Sequence, residues 1–333
     1  MKIFILDHQI KAGGNLGVPF LIKVLFKGLA QKGYEPTLIT CKENAAYYQT
    51  SNARIIDISH AEVNMLLDGR TPIAKFCNQG IFHSHTSGHH VNFDLSNFNG
   101  KWVATCHGSD YEDGAAEFLV FVSKSQMLRH CMKFNSHIRS RNIYLAYNCY
   151  ESGLKFNPGS HNKLIYFGVL RKDKGIHYLP EIAQNIGRAI HIYGPMLEFD
   201  KSYIEKSLNS HLGYSVHYHG PVESLDEKNH LFSEAELLVH PATFHEPFGI
   251  ALVESMACGV PFVGFNLGAL PELNIDRALL GENVSDLSEI MKLEKHKLYS
   301  PDDLISHASL FSEENFVSRY ESIYRDLLSF PYN

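Results

Sequence analysis

The sequence predicts an α/β protein made of two doubly wound units in tandem, on three observations. The chain opens as a short apolar strand, a glycine-rich turn, an amphipathic helix and a second strand, the usual start of a parallel sheet with crossover helices. That pattern restarts after Asn148. The charge balance also changes at midchain: there are 15 Lys and Arg against 11 Asp and Glu through Tyr150, then 15 against 25 from Glu151 onward. A chain of 333 residues is long enough for two domains that each bury a core.

In the first unit, residues 2–6 read as a strand closed by Asp7, followed by the glycine loop Gly13-Gly14-Asn15-Leu16-Gly17. Leu16, Phe20, Val24, Leu25 and Leu29 recur at helical spacing, and Gly33 ends that helix. Residues 36–40 (PTLIT) are the next strand, and buried-strand patterns follow at 54–58, 80–83, 101–106, 118–122 and 142–146. Residues 147–162 carry Gly, Pro, Ser and Asn without periodicity and read as a linker.

The second unit begins with the strand KLIYF at 163–167, the polar loop RKDKG at 171–175 and a helix over about 176–186. Strands are expected at 189–193, 214–218, 236–240 and 261–265. The last helix, 313–328, has an apolar stripe of Phe316, Tyr320, Ile323, Tyr324 and Leu327, with Ser312 placed to cap it. The expected domains are 1–150 and 160–312, with the final helix, 313–330, able to pack back on the first.

Composition excludes several classes. Hydrophobic residues make up 44% and charged residues 20%, an ordinary globular mix. No apolar run approaches the roughly 20 residues that span a bilayer. The start, MKIFILDHQIKAGG, reads as a strand and not as a secretory signal. Cysteines at 41, 77, 106, 131, 149 and 258 form no CxxC pair, which suits free thiols in a reducing cytoplasm. The small basic excess of the first half, with no basic stripe interleaved with aromatics, argues against nucleic acid as a partner. It is compatible with peripheral contact at an anionic membrane surface.

The chemistry concentrates in HEPFGIALVESMACGVPFVGF, residues 245–265. Pro247 biases Glu246 toward an extended conformation. Gly249 permits a tight turn into a helix over about 250–258, and Gly259 suits the position after its end. Backbone N–H groups of Phe248, Gly249, Ile250 and Ala251 would then point out of the helix start, where the dipole favours an anion. Glu254 falls inside a helix whose only other polar residue is Ser255. A buried carboxylate needs a hydrogen-bonding partner, from within the protein or from a ligand.

This frame, EPFGxxLxExMACGxP with Glu-x7-Glu, resembles the signature of the retaining family-4 glycosyltransferases, whose fold is GT-B. Further segments resemble that family in order: the glycine loop at 13–17, ATCHGSD with His107 and Gly108, FVSKS at 121–125, YFGVLRKDKG at 166–175, IYGP, His219-Gly220-Pro221 and LVHPATFHEPFG. The resemblance implies two Rossmann-like domains facing a central cleft, the first binding an acceptor and the second a nucleotide-sugar donor. It implies that Glu246 accepts hydrogen bonds from donor-sugar hydroxyls, helped by amides of Phe248, Gly249 and Ile250. Glu254 would hold the nucleotide ribose, Lys174 would neutralise the diphosphate, and the backbone of Gly14 would approach the same phosphates. His107 would lie against the sugar near the reacting carbon, so Glu246, His107 and Lys174 form the expected catalytic group.

Where the family has arginine after the loop glycine, this chain has Val169, and Arg171 is the nearest substitute. A second departure is YNCYE at 147–151, where the family has a P-N-G turn. The chain contains no DxD pair, so the expected chemistry uses no catalytic metal and no cofactor. The implied reaction moves a hexose-type sugar, from a UDP-sugar, to a hydroxyl on a sugar, lipid-linked or small-molecule acceptor, with retention by front-face attack. Asp110 is a candidate acceptor-side base, and a capping or surface Asp is the plainer reading. The rival readings are a nucleotide-sugar 2-epimerase-like enzyme on the same fold and a non-catalytic sugar-nucleotide-binding protein. The segment HSHTSGHH places His83, His85, His89 and His90 close together, but without a recognised zinc spacing. No metal is expected there, and one of these histidines lining an acceptor is the better functional reading.

Overall fold

A computed structural model describes residues 1–8, 17–86, 91–108, 116–133 and 142–330. The chain divides into two compact units, residues 1–149 with 313–333, and residues 150–312.

The first unit carries strands β1 (Ile3–Leu6), β2 (Thr37–Cys41), β3 (Arg54–Ile58), β4 (Gln79–Thr86), β5 (Asn99–Cys106), β6 (Phe118–Phe121) and β7 (Asn142–Leu145). Helices α1 (Gly17–Gln31), α2 (Ala45–Tyr48), α3 (His60–Leu67) and α4 (Lys124–Lys133) connect them. The sheet order is β3-β2-β1-β4-β5-β6-β7 and every pairing is parallel. Such strands are buried on both faces, and β6 (FLVF) accordingly reads as a continuous apolar run. Leu6, Ile39, Phe82, Trp102, Leu119 and Phe121 belong to one core cluster.

Asp7, just beyond β1, is fully buried. Its Oδ2 accepts hydrogen bonds from Thr40 Oγ1 (2.9 Å), Tyr48 Oη (2.9 Å) and Asn44 Nδ2 (3.4 Å). The capping box of α3 is complete, with Ser59 and Glu62 each bonding the other's backbone.

The second unit carries β8 (Lys163–Phe167), β9 (Ile190–Tyr193), β10 (Val216–Tyr218), β11 (Ala235–His240), β12 (Phe262–Phe265) and β13 (Leu280–Gly281). Its sheet order, β10-β9-β8-β11-β12-β13, is again wholly parallel. The order reverses between β8 and β11, and ligands of doubly wound sheets bind at the carboxyl ends beside such a switch. The helices are α5 (Leu179–Ile186), α6 (Glu198–Leu208), α7 (Leu225–Glu234), α8 (Ile250–Ala257), α9 (Leu270–Leu273), α10 (Val284–Lys292) and α11 (Pro301–Ala308). The expected helix over 176–186 is a 3-10 turn, Ile176–Tyr178, followed by α5, because Pro180 suits only the first turn of an α-helix.

The last helix, α12 (Glu313–Leu327), buries Phe316, Tyr320, Ile323, Tyr324 and Leu327 within the first unit. It lies so close to α1 that a Cβ on Gly28 would stand 2.4 Å from Val317 Cγ2. Glu321 of α12 ties it to the segment just after α1 by accepting from Tyr34 (2.7 Å) and pairing with Lys32 (2.9 Å).

Candidate active site

Two loops of the second unit come together beyond the carboxyl ends of β8 and β11. After β8 the chain forms a 3-10 turn, Lys172–Lys174, and Gly175 closes it with φ of 72°. A Cβ on Gly175 would stand 1.8 Å from the Pro241 carbonyl oxygen, so only glycine allows this approach. Thr243 N donates to Asp173 O at 2.8 Å and ties the loops together. Lys174 therefore reaches Glu246, although 72 residues separate them in the chain.

Glu246 is 7% exposed. Its Oε2 pairs with Lys174 Nζ and also lies 3.3 Å from His240 Nε2. Burial pushes the Glu246 pKa up, but Lys174 and His240 outweigh burial and hold it down to about 2. Burial depresses the pKa of His240, whose ring lies parallel to Tyr166 and whose Nδ1 is buried without a partner. A neutral His240 with its proton on Nε2 donates to Glu246, and its Nδ1 is left as an acceptor with no donor facing it. Both donors meet Oε2, and neither meets Oε1. Lys174 also stands 4.8 Å from the centre of the Phe244 ring.

The backbone of Glu246 is held from a third loop, after β12. Ala269 N donates to Glu246 O at 2.9 Å. Gly268, with φ of 62°, sits so near that a Cβ there would lie 2.4 Å from Glu246 N. His240 and Gly268 did not emerge from the sequence as site residues. A glycine following a buried strand was the available signal for Gly268, and the register of His240 at the end of β11 was the signal for the histidine.

Helix α8 starts at Gly249, which has φ of 97° and no side chain to cap the first-turn N–H groups. Phe248 is buried edge-on against Phe311, while Gly249, Ile250 and Ala251 keep partial exposure. The helix start is thus open to solvent, and its body from Leu252 to Ala257 is buried. Gly259 takes φ of 74° just past the end.

Glu254 is 3% exposed and has an internal partner: Lys228 Nζ, on α7, lies 2.7 Å from its Oε1. The same ammonium is 2.9 Å from Glu151 Oε2. Burial raises the Glu254 pKa despite Lys228. The sequence left open whether the partner came from the protein or from a ligand, and Lys228 supplies it. Arg171, the expected substitute for the missing arginine, pairs instead with Asp173 on its own turn at 2.5 Å. That carboxylate is two residues away, and a local ion pair forms without reorganising the loop. The Val169 carbonyl accepts from Tyr166 Oη at 2.9 Å.

In the first unit, His107 stacks on His85, with His85 Nδ1 and His107 Nε2 2.9 Å apart. Burial drives the pKa of His83 and of His107 down to about 3 and lowers that of His85 as well. His83 lies between Tyr324 (2.6 Å) and Thr105 (2.8 Å), so both its nitrogens are engaged within the core. Gly14, Asp110, His89 and His90 lie outside the described residues. Among the described residues, three ligand atoms suited to a metal gather within 4.8 Å only at Cys41, Glu43 and His60, which include none of the HSHTSGHH histidines.

A lysine, a buried carboxylate and an open helix start beside one another suit a ligand that carries both negative charge and hydroxyl groups. Residues 155–300 match the family described as glycosyl transferases group 1. The fold is the GT-B architecture seen in solved glycosyltransferases, and residues 155–300 of the second unit are similar to that family. A glycosyltransferase of Methanocaldococcus jannaschii, itself uncharacterized, is 27% identical over 163 residues, 47% of this chain and 44% of that protein. Sucrose-phosphate synthase from Thermosynechococcus elongatus shares the fold with a TM-score of 0.77 at 16% identity, covering 98% of this chain and 99% of that one. Anabaena HepE in complex with UDP and glucose has a TM-score of 0.69 at 14% identity, covering 98% and 100%. The matched stretches span less than half the length of the first curated relatives, from 24% to 44%.

Proposed function

We propose that this protein transfers a hexose-type sugar from a nucleotide-sugar, a UDP-sugar, to a hydroxyl acceptor, with retention and without a catalytic metal. The observation that carries this reading is the Lys174–Glu246 pair set beside the open start of α8. Anabaena HepE, which shares the fold, binds UDP and UDP-glucose, and this supports the choice of donor.

In this reading the diphosphate lies at the helix start and Lys174 turns toward it. Breaking the sugar–phosphate bond leaves extra negative charge on the departing phosphate. The N–H groups at the start of α8, joined by Lys174 once it has turned, would stabilise that charge as it develops. The acceptor oxygen bonds to the anomeric carbon on the face the phosphate leaves, and the acceptor proton passes to the phosphate. Glu246, kept ionised by Lys174 and His240, accepts hydrogen bonds from sugar hydroxyls through Oε1. Glu254 accepts from the ribose.

The test is calorimetric binding of UDP, GDP, ADP and dTDP without metal, followed by turnover of the matching nucleotide-sugar with and without acceptors. Binding of one nucleotide and acceptor-dependent release of it support transfer. Binding of none removes the donor-site reading, and turnover without any acceptor would make the protein an isomerising enzyme.

A further inference from the structure

Glu254 lies in the body of α8 with two charged neighbours from distant parts of the chain. Lys228 comes from α7, and Glu151 lies at the start of the second unit. Lys228 is 8% exposed, and its ammonium bridges Glu254 Oε1 (2.7 Å) and Glu151 Oε2 (2.9 Å). The cluster therefore has two carboxylates and one cation. Burial and the nearby Glu151 charge both push Glu254 toward its protonated form, and Lys228 opposes them.

An acid that binds a diol must be ionised and fixed in orientation. Lys228 does both through a single oxygen of Glu254, and its bond to Glu151 restricts the lysine's own rotamers. No hydrogen bond of Lys228 reaches Glu254 Oε2. We propose that Lys228 is a specificity-determining positioning residue: by holding Glu254 ionised and oriented, it lets the site distinguish a ribonucleotide from one lacking its ribose hydroxyls. This rests on the proposed role of Glu254 at the ribose.

The lysine's place in the chain also accounts for its reach. Ser224 caps α7 by accepting from Glu227 N, which fixes the first turn where Lys228 lies. Leu231 and Phe232, on the same helix, are buried and hold that face inward. A solvated lysine would contribute little to the acid's state. This one is desolvated, and removing it would leave a buried carboxyl with no counter-charge.

The experiment compares UDP with 2′,3′-dideoxy-UDP by calorimetry, and GDP with 2′,3′-dideoxy-GDP in parallel. It uses the wild type, Lys228→Met, Lys228→Arg and Lys228→Gln, each checked for thermal stability. The wild type is expected to favour the ribonucleotide by about tenfold to a hundredfold, as charged hydrogen bonds to two hydroxyls allow. In Lys228→Met the preference falls to within about threefold, through weaker ribonucleotide binding, while the dideoxy compound binds as before. Lys228→Arg restores most of the preference. Lys228→Gln gives an intermediate ratio and covers the case in which the methionine variant does not fold.

A purely structural lysine would weaken both ligands alike and leave the ratio unchanged, which would overturn the proposal. If the wild type itself binds both compounds equally, the ribose role of Glu254 fails instead. If no nucleotide binds the wild type, the donor-site reading fails with it.

Discussion

His240 Nε2 lies 3.3 Å from Glu246 Oε2, the same carboxylate oxygen that Lys174 contacts. One oxygen thus takes both protein donors, and the acid is held by one edge. A neutral histidine and a lysine together keep a nearly buried glutamate ionised.

Removing the lysine leaves burial opposed only by His240. Lys174→Met is therefore expected to raise the Glu246 pKa from about 2 and move the acid limb of the transfer-rate profile to higher pH. Transfer should fall about a hundredfold, as for loss of one oriented charge-stabilising donor. A pH–rate profile checks both, and an unmoved acid limb would separate Lys174 from the state of Glu246.

Glu246→Gln tests the division of labour within the site. It keeps the shape but loses the charge that, in the proposed reading, sugar hydroxyls bond to. Transfer is expected to drop about a hundredfold or more, while UDP affinity stays within about threefold. Calorimetry beside turnover decides this, and an equal loss of both would place Glu246 at the nucleotide instead of the sugar.

Gly268→Ala probes the backbone support. The new Cβ would meet Glu246 N at 2.4 Å, at a φ of 62° that side chains rarely adopt. A stability loss of roughly 1–3 kcal/mol is expected, with a larger loss of transfer than of stability because Glu246 moves. Denaturant unfolding and turnover, measured together, would expose the error if the variant behaved like wild type.

The histidines of the first unit predict acid sensitivity. His83 and His107 have folded pKa values of about 3 against an ordinary 6.5, so the unfolded chain binds protons that the folded unit refuses. Their stabilising contribution is complete above about pH 6.5 and is lost as pH falls toward 3. The melting temperature should decline between pH 7 and pH 5, and less steeply in His107→Gln. A flat wild-type profile over that range would contradict this.

Metal removal is the simplest check on the chemistry. With no DxD pair, transfer should survive excess EDTA within about twofold if, as proposed, Lys174 and the helix start take the place of a cation. A loss beyond tenfold, restored by magnesium, would overturn the metal-free reading.

Much of the architecture is local and was legible in the chain. Alternating apolar runs and amphipathic stretches mark strands and crossover helices, since burial of a parallel sheet depends on residues within one element. Gly249 and Gly259 bound α8 through their own φ angles, and the Glu246 to Glu254 spacing places one acid before the helix and one within it. Two α/β units and the segment that carries the charged site therefore follow from the order of residue types along the chain.

The partners of that site were decided by tertiary structure alone. Glu254 meets Lys228, 26 residues earlier, because α7 and α8 flank the same strand, β11. Glu246 meets Lys174 because β8 and β11 are hydrogen-bonded neighbours whose loops touch through Gly175. Arg171 pairs with Asp173, a partner its place in the chain did not by itself single out. Charge pairing depends on distance in space, and sheet order sets that distance by bringing together strand ends that the linear chain keeps far apart.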